Sequence, residues 1–167
     1  MNDLRISKRL SITLKTLISK IVLFFLYRAI KVLSKEDSNI RKEFDSWENG
    51  LSVALICSTN GPALYLIKNG NKLVKVKKLK KADIIITFKS LDSAFLVLTG
   101  QIGISRAYSE HRFMLTGNIS KTMSLVRAID ITEAYLFPSI MTKRILKALP
   151  KKERSSLSIY RKVIFGV

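Results

Sequence analysis

Few side chains in this sequence have the type and spacing that reaction chemistry needs, because most catalysis calls for several polar groups converging in one cleft. The single histidine, His111, lies in Ser109-Glu110-His111-Arg112, flanked by charge, and reads as an exposed loop residue rather than a general base. Cys57, the only cysteine, falls in the apolar alternation Leu51, Val53, Leu55, Cys57 and reads as a small buried hydrophobe. It excludes an internal disulfide and builds no zinc site alone. The carboxylates Asp83, Asp92, Asp130 and Glu133 show no tight pairing, and a place in a first helical turn accounts for Asp92. Gly100-Gln101-Ile102-Gly103 is too short to cradle phosphate, and no P-loop or dinucleotide fingerprint occurs. The inventory therefore points away from catalysis, with no metal and no cofactor expected.

Charge is the conspicuous feature. Across 167 residues, 30 Lys and Arg oppose 12 Asp and Glu, a formal net charge of +18. Such a field favours an anionic partner, either nucleic acid or an acidic membrane surface. The basic residues cluster in 1–35, in 66–82, where seven lysines meet no acid, and in 138–167. Single-strand binders interleave aromatic rings with basic residues so that bases can stack. The lysine block instead alternates with Leu73, Val74, Val76 and Leu79, so it reads equally as a solvated face.

Residues 10–33 predict a helix about 36 Å long. Its charge-free stretch Ile21–Tyr27 is too short to cross a bilayer, and Lys20 breaks any signal-peptide core. A cationic amphipathic helix remains, lying on a membrane or on its own domain. Residues 34–49 hold five of the acids and read as an exposed connection or second helix. From Leu51 the period changes to two. Strands are expected at 51–57, 63–68 and 71–76, with Asn69-Gly70 supplying a tight hairpin turn. Asp83–Phe88 is a β-branched run that reads as a strand buried on both faces. Ser90 caps a helix carrying Leu91, Phe95 and Leu98, and Gly100 ends it. Phe113–Thr116 is a fifth strand, followed by a helix with Ile119, Met123, Val126 and Ile129 on one face. A last amphipathic helix spans 139–149, where Pro150 stops it.

Three of these segments carry a family resemblance. Ala82-Asp83-Ile84-Ile85-Ile86-Thr87-Phe88 resembles the A-D-apolar-T-apolar strand of the sterol carrier protein 2 (SCP2) lipid-binding domain. Phe95-Leu96-Val97-Leu98-Thr99-Gly100-Gln101-Ile102 resembles that family's helix ending in LLTGK. Phe113-Met114-Leu115-Thr116-Gly117-Asn118, followed by Met123, resembles its fifth strand and next helix, with Arg106-Ala107-Tyr108 near the family's xAF. Glu110-His111-Arg112 stands where the family usually places a Gly-containing turn, and the basic N-terminal helix lies outside the core pattern. The resemblance implies an apolar tunnel and a lipid ligand. Some bacterial relatives with extra helices are accessory factors in isoprenoid-quinone biosynthesis.

The expected fold is α+β and SCP2-like: a five-stranded, mainly antiparallel sheet with helices on one face and a long N-terminal amphipathic helix. Three regions are expected, a helical extension at 1–49, a lipid-binding core at 50–137 and a basic helix and tail at 138–167. The expected tunnel lining is Phe88, Phe95, Leu98, Tyr108, Phe113, Leu115, Met123 and Val126. Membrane contact is assigned to Lys15, Lys20, Phe24, Phe25, Arg28, Lys31, Lys143, Arg144 and Lys147. The function expected first is non-catalytic presentation of an apolar lipid at an anionic membrane, by a cytoplasmic peripheral protein working with lipid-biosynthesis enzymes. A nucleic-acid-binding protein using the 66–82 lysines, or an interaction module using the N-terminal helix, are the alternatives.

Overall fold

The computed structural model describes the backbone of residues 2–146 and 148–166, and side chains from residue 9 onward. Helix α1 (Asn2–Glu36) runs uninterrupted because no Gly or Pro occurs in it. Asp37 ends it by turning extended, and its carboxyl then caps α2 (Ser38–Asp45), with Oδ1 accepting from the Asn39 N–H at 2.9 Å. Residues 34–49 thus hold a second helix at 38–45, not an exposed connection, since Ile40, Phe44 and Trp47 are buried in the core.

The strands are β1 (Ser52–Ile56), β2 (Ala63–Asn69), β3 (Lys72–Val76), β4 (Ile84–Phe88) and β5 (Phe113–Gly117). They pair in the order β3-β2-β1-β4-β5. The β1–β4 pair is parallel and the others antiparallel, so the sheet is mixed but mainly antiparallel. The remaining helices are α3 (Leu91–Leu98), α4 (Ile104–Ser109), α5 (Ile119–Leu136), α6 (Ser139–Ile145) and α7 (Ser156–Phe165). The Ser90 hydroxyl caps α3, accepting from the Ser93 N–H at 3.1 Å.

Helices cover one sheet face, burying Val53, Leu55, Leu64, Leu66, Ile84, Ile86 and Phe88 against α1 and α5. The other face stays open, and this corrects the reading of residues 83–88 as buried on both sides. Ile85 and Thr87 are only half-buried there, beside half-buried Tyr65 and Ile67 and exposed Met114. The β-branched run suits the pleat on both faces, but only one face has a covering layer.

Three helical expectations also change. The helix expected over 139–149 stops at Ile145, because Leu146 turns extended at φ −99° and ψ 134°. A further helix, α7, starts at the Ser155 cap and buries Ile159 and Val163 against α1 and α5. On α5 the buried stripe runs through Leu125, Ala128, Ile129 and Thr132, leaving Ile119 and Met123 exposed. The lysine block is not purely surface either, since Lys68 is buried beneath the end of α2.

The glycines at 100 and 103 have structural roles unrelated to phosphate. Gly100 ends α3 with φ +67°, a left-handed turn that glycine adopts without strain. A Cβ on Gly103 would fall 2.0 Å from the Ile145 carbonyl oxygen, so α4 starts against α6 only with glycine there. His111 also adopts a left-handed φ of 52°, taking the turn before β5 without a glycine.

Candidate functional site

A narrow apolar cavity of about 50 Å³ lies between the sheet and its helices. Leu55 and Cys57 from the end of β1, Ile86 and Phe88 from β4 and Phe113 from β5 form its floor. Val97 and Leu98 of α3, Ile104 of α4, and Ile129, Leu136 and Phe137 along α5 form its walls. Its roof is α1, through Val22, Leu23 and Leu26. Strand alternation puts every second residue on this face, and i, i+4, i+7 spacing brings Ile129, Glu133 and Leu136 together.

Two lining groups are not hydrocarbon. Burial pushes the Cys57 thiol up to about 12, so it stays protonated and unreactive. Glu133 is the one ionisable carboxyl on the wall and is only 6% exposed. No described residue gives its Oε2 a hydrogen bond. Burial chiefly, and the Asp130 charge secondarily, hold the Glu133 carboxyl well above the usual carboxylate range. Burial raises Asp130 to about 6. Among the described residues, no three His, Cys, Asp or Glu side chains gather as a metal site would require.

The raised Glu133 value sets a pH dependence. The folded protein keeps this proton to higher pH than the unfolded chain does. Its contribution to stability is therefore full below the ordinary carboxylate range and is lost as pH rises through the folded value. Glu133→Gln removes that loss. Urea unfolding should find the variant more stable than the parent at pH 8, with the gap closing at pH 4. A gap that is the same at both pH values would contradict a buried, proton-retaining Glu133.

Of the residues expected to line a tunnel, the cavity brings together Phe88, Leu98 and Phe113. Phe95 is half-buried beneath Lys15, whose Nζ stands 5.9 Å from the ring centroid. Tyr108 is 60% exposed, although its ring centroid is 5.8 Å from that of Phe113. Leu115 is half-buried against the core, Met123 is exposed, and Val126 is buried away from the cavity. Packing of the N-terminal helix on its own domain is one of its two expected placements, but Val22, Leu23 and Leu26 of that roof, and Glu133, stand outside the expected lining. Glu133 did leave a signal, since it stands at i+4 from Ile129 on an otherwise apolar helix face.

The residues assigned to membrane contact also disperse. Lys15 pairs with Asp92 of α3 at 2.6 Å, whereas Lys20, Phe24 and Phe25 are exposed. The Arg28 guanidinium lies 5.5 Å from the Phe24 ring centroid and donates to the Ile164 carbonyl of α7 at 3.4 Å. Lys31 is half-buried, Lys143 and Arg144 are exposed on α6, and Lys147 lies outside the described residues.

No protein-family model and no curated protein matches this sequence. Solved structures do resemble it. The UbiJ-SCP2 ubiquinone synthesis protein overlaps 72% of this chain and 96% of its own, at 14% identity and a TM-score of 0.42. Sterol carrier protein 2 from Yarrowia lipolytica, in its apo form, overlaps 68% and 90%, at 16% identity and a TM-score of 0.47. A solution structure of palmitated SCP2L2 from Aedes aegypti overlaps 59% and 91%, at 13% identity and a TM-score of 0.36. The chain is thus similar to SCP2 structures. At these identities and TM-scores the likeness carries no weight for function, which rests on the cavity and on α1.

Proposed function

We propose that this protein is a non-catalytic carrier that holds an apolar lipid and presents it at an anionic membrane surface. One observation carries the reading: α1 both roofs the apolar cavity and displays a second, unpaired apolar stripe. Leu23, Leu26, Ile30 and Leu33 face the domain and are buried. Leu10, Leu14, Leu17, Ile21 and Phe24 recur at alternating steps of four and three, share the outer face, and are exposed. Arg9 and Lys20 lie along one flank of that stripe, both exposed. Exposed apolar residues edged by basic ones, on a chain of charge +18, suit shallow insertion into an acidic leaflet.

The cavity is smaller than the several hundred Å³ that pockets for small molecules usually offer. Lifting Val22, Leu23 and Leu26 with α1 would enlarge it on the side facing the bilayer. Docking and opening would then be one event. In this reading the protein is cytoplasmic and peripheral, and it hands its ligand to enzymes of lipid or isoprenoid-quinone synthesis at the same surface. The segment Arg9–Glu36 is long and apolar enough to cross a bilayer, with a mean hydropathy of 1.7 in its best window. A crossing would draw the roof residues out of the core and immerse Lys15 and Lys20, so a surface-lying helix fits better.

Vesicle flotation tests the docking. Recovery should be high on anionic vesicles, low on neutral ones, and reduced by salt. Leu17→Glu should weaken it by about tenfold or more, since it replaces an inserted side chain by a like-signed charge. Alkaline carbonate should release the protein. Equal, salt-insensitive recovery on both vesicle types would overturn the reading.

A further inference from the structure

Among the described residues, the cavity that would hold the lipid is lined by one carboxyl, and one of its oxygens has no hydrogen-bond partner there. Glu133 lies among Ile129, Leu136, Phe137 and Leu26, is almost wholly buried, and has no described partner for Oε2. A buried carboxyl without a partner costs stability, and nothing in the packing of α5 requires one there. Leucine would suit the same wall. We propose that Glu133 is a head-group anchor, and that the cavity selects long apolar molecules ending in an uncharged hydroxyl or carbonyl over fatty-acid carboxylates. This rests on the lipid-carrier reading.

The selection follows from what the wall offers. A neutral carboxyl presents one O–H donor and a carbonyl acceptor, which together complement an alcohol, a phenol or a ketone. A carboxylate ligand would need a cation, and among the described residues no Lys, Arg or His lines the cavity. It would also bring an anionic group into the same apolar space, with the Asp130 carboxyl one turn from Glu133 on the same helix. Burying that charge uncompensated disfavours the acid, whereas the alcohol gives Oε2 the partner it lacks.

Displacement of a fluorescent lipid from the 167-residue chain, by hexadecane, hexadecan-1-ol and palmitate at pH 8, tests this. The alcohol should bind about tenfold or more tightly than palmitate. Glu133→Gln, which keeps a donor and an acceptor, should retain that preference. Glu133→Leu should lose it and bind hexadecane as well as the alcohol. Both variants remove a poorly solvated carboxyl, and circular dichroism would verify that they fold. Palmitate binding as tightly as the alcohol, or a preference that survives Glu133→Leu, would overturn the anchor and leave the carrier intact. If the parent takes up none of the probes, hexadecane included, the carrier reading fails and the anchor fails with it.

Discussion

A Lys68→Met protein should unfold about 2–3 kcal/mol more easily than the parent, although position 68 belongs to a run of surface-type lysines. Its Nζ donates to the Phe44 carbonyl in the last turn of α2 and, at 2.7 Å, to the Trp47 carbonyl in the turn just after it. A cation there gives the Trp47 carbonyl a donor, adds to the backbone N–H that already reaches the Phe44 carbonyl, and complements the helix dipole. Methionine retains the buried stem, so the loss isolates the ammonium. The Trp47 carbonyl would be left in the interior without its donor. Urea titration with an unchanged slope would measure the difference. Lys75→Met, on the neighbouring strand β3 and exposed, should change stability by no more than about 0.5 kcal/mol. A Lys68 effect as small as that control would contradict the assignment.

Tyr135→Phe should cost about 3 kcal/mol and loosen one region in particular. The Tyr135 hydroxyl donates to Asp37 Oδ2 at 2.7 Å and accepts from the N–H groups of Glu153 and Arg154, at 2.8 and 3.2 Å. One oxygen thus joins the α1–α2 corner, α5 and the segment leading into α7. Burial first, and then the bond to Asp37, push the Tyr135 phenol up to about 12, so it remains a donor throughout the physiological range. Phenylalanine would strand a fully buried Asp37 oxygen and release the chain before α7. Because α7 packs on α1, hydrogen exchange should quicken in α7 and in the inner half of α1, while the β1–β2 amides keep their protection. Uniform acceleration across the sheet would mean that Tyr135 supports the whole core equally.

Much of this architecture is legible in local chemistry. The alternation of Leu51, Val53 and Leu55, the Asn69-Gly70 turn, the Ser90 cap and Gly100 each act within a few residues, and β1 to β3 and α3 lie where those signals place them. What depends on distant partners is not legible in this way. Lys68 resembles its neighbouring lysines until α2 and the turn after it lay two carbonyls over it. Ile119 and Met123 share a helical face with Val126, yet only Val126 is buried by its neighbours. Leu149 continues the spacing of Met141 and Ile145, but the chain leaves the helix at Leu146 to pass Gly103. The cavity shows the same division. Phe88, Leu98 and Phe113 follow from strand and helix periodicity, whereas Val22, Leu23 and Leu26 depend on how a distant helix crosses the sheet. Glu133 is one acid among twelve until packing closes around it.

Lipid carriage is tested most directly by native mass spectrometry of protein purified without detergent, followed by solvent extraction of whatever accompanies it. The account predicts one apolar adduct per chain, with an uncharged polar head. A bare protein that also takes up no fluorescent prenol or alkyl alcohol in the presence of anionic vesicles would contradict it.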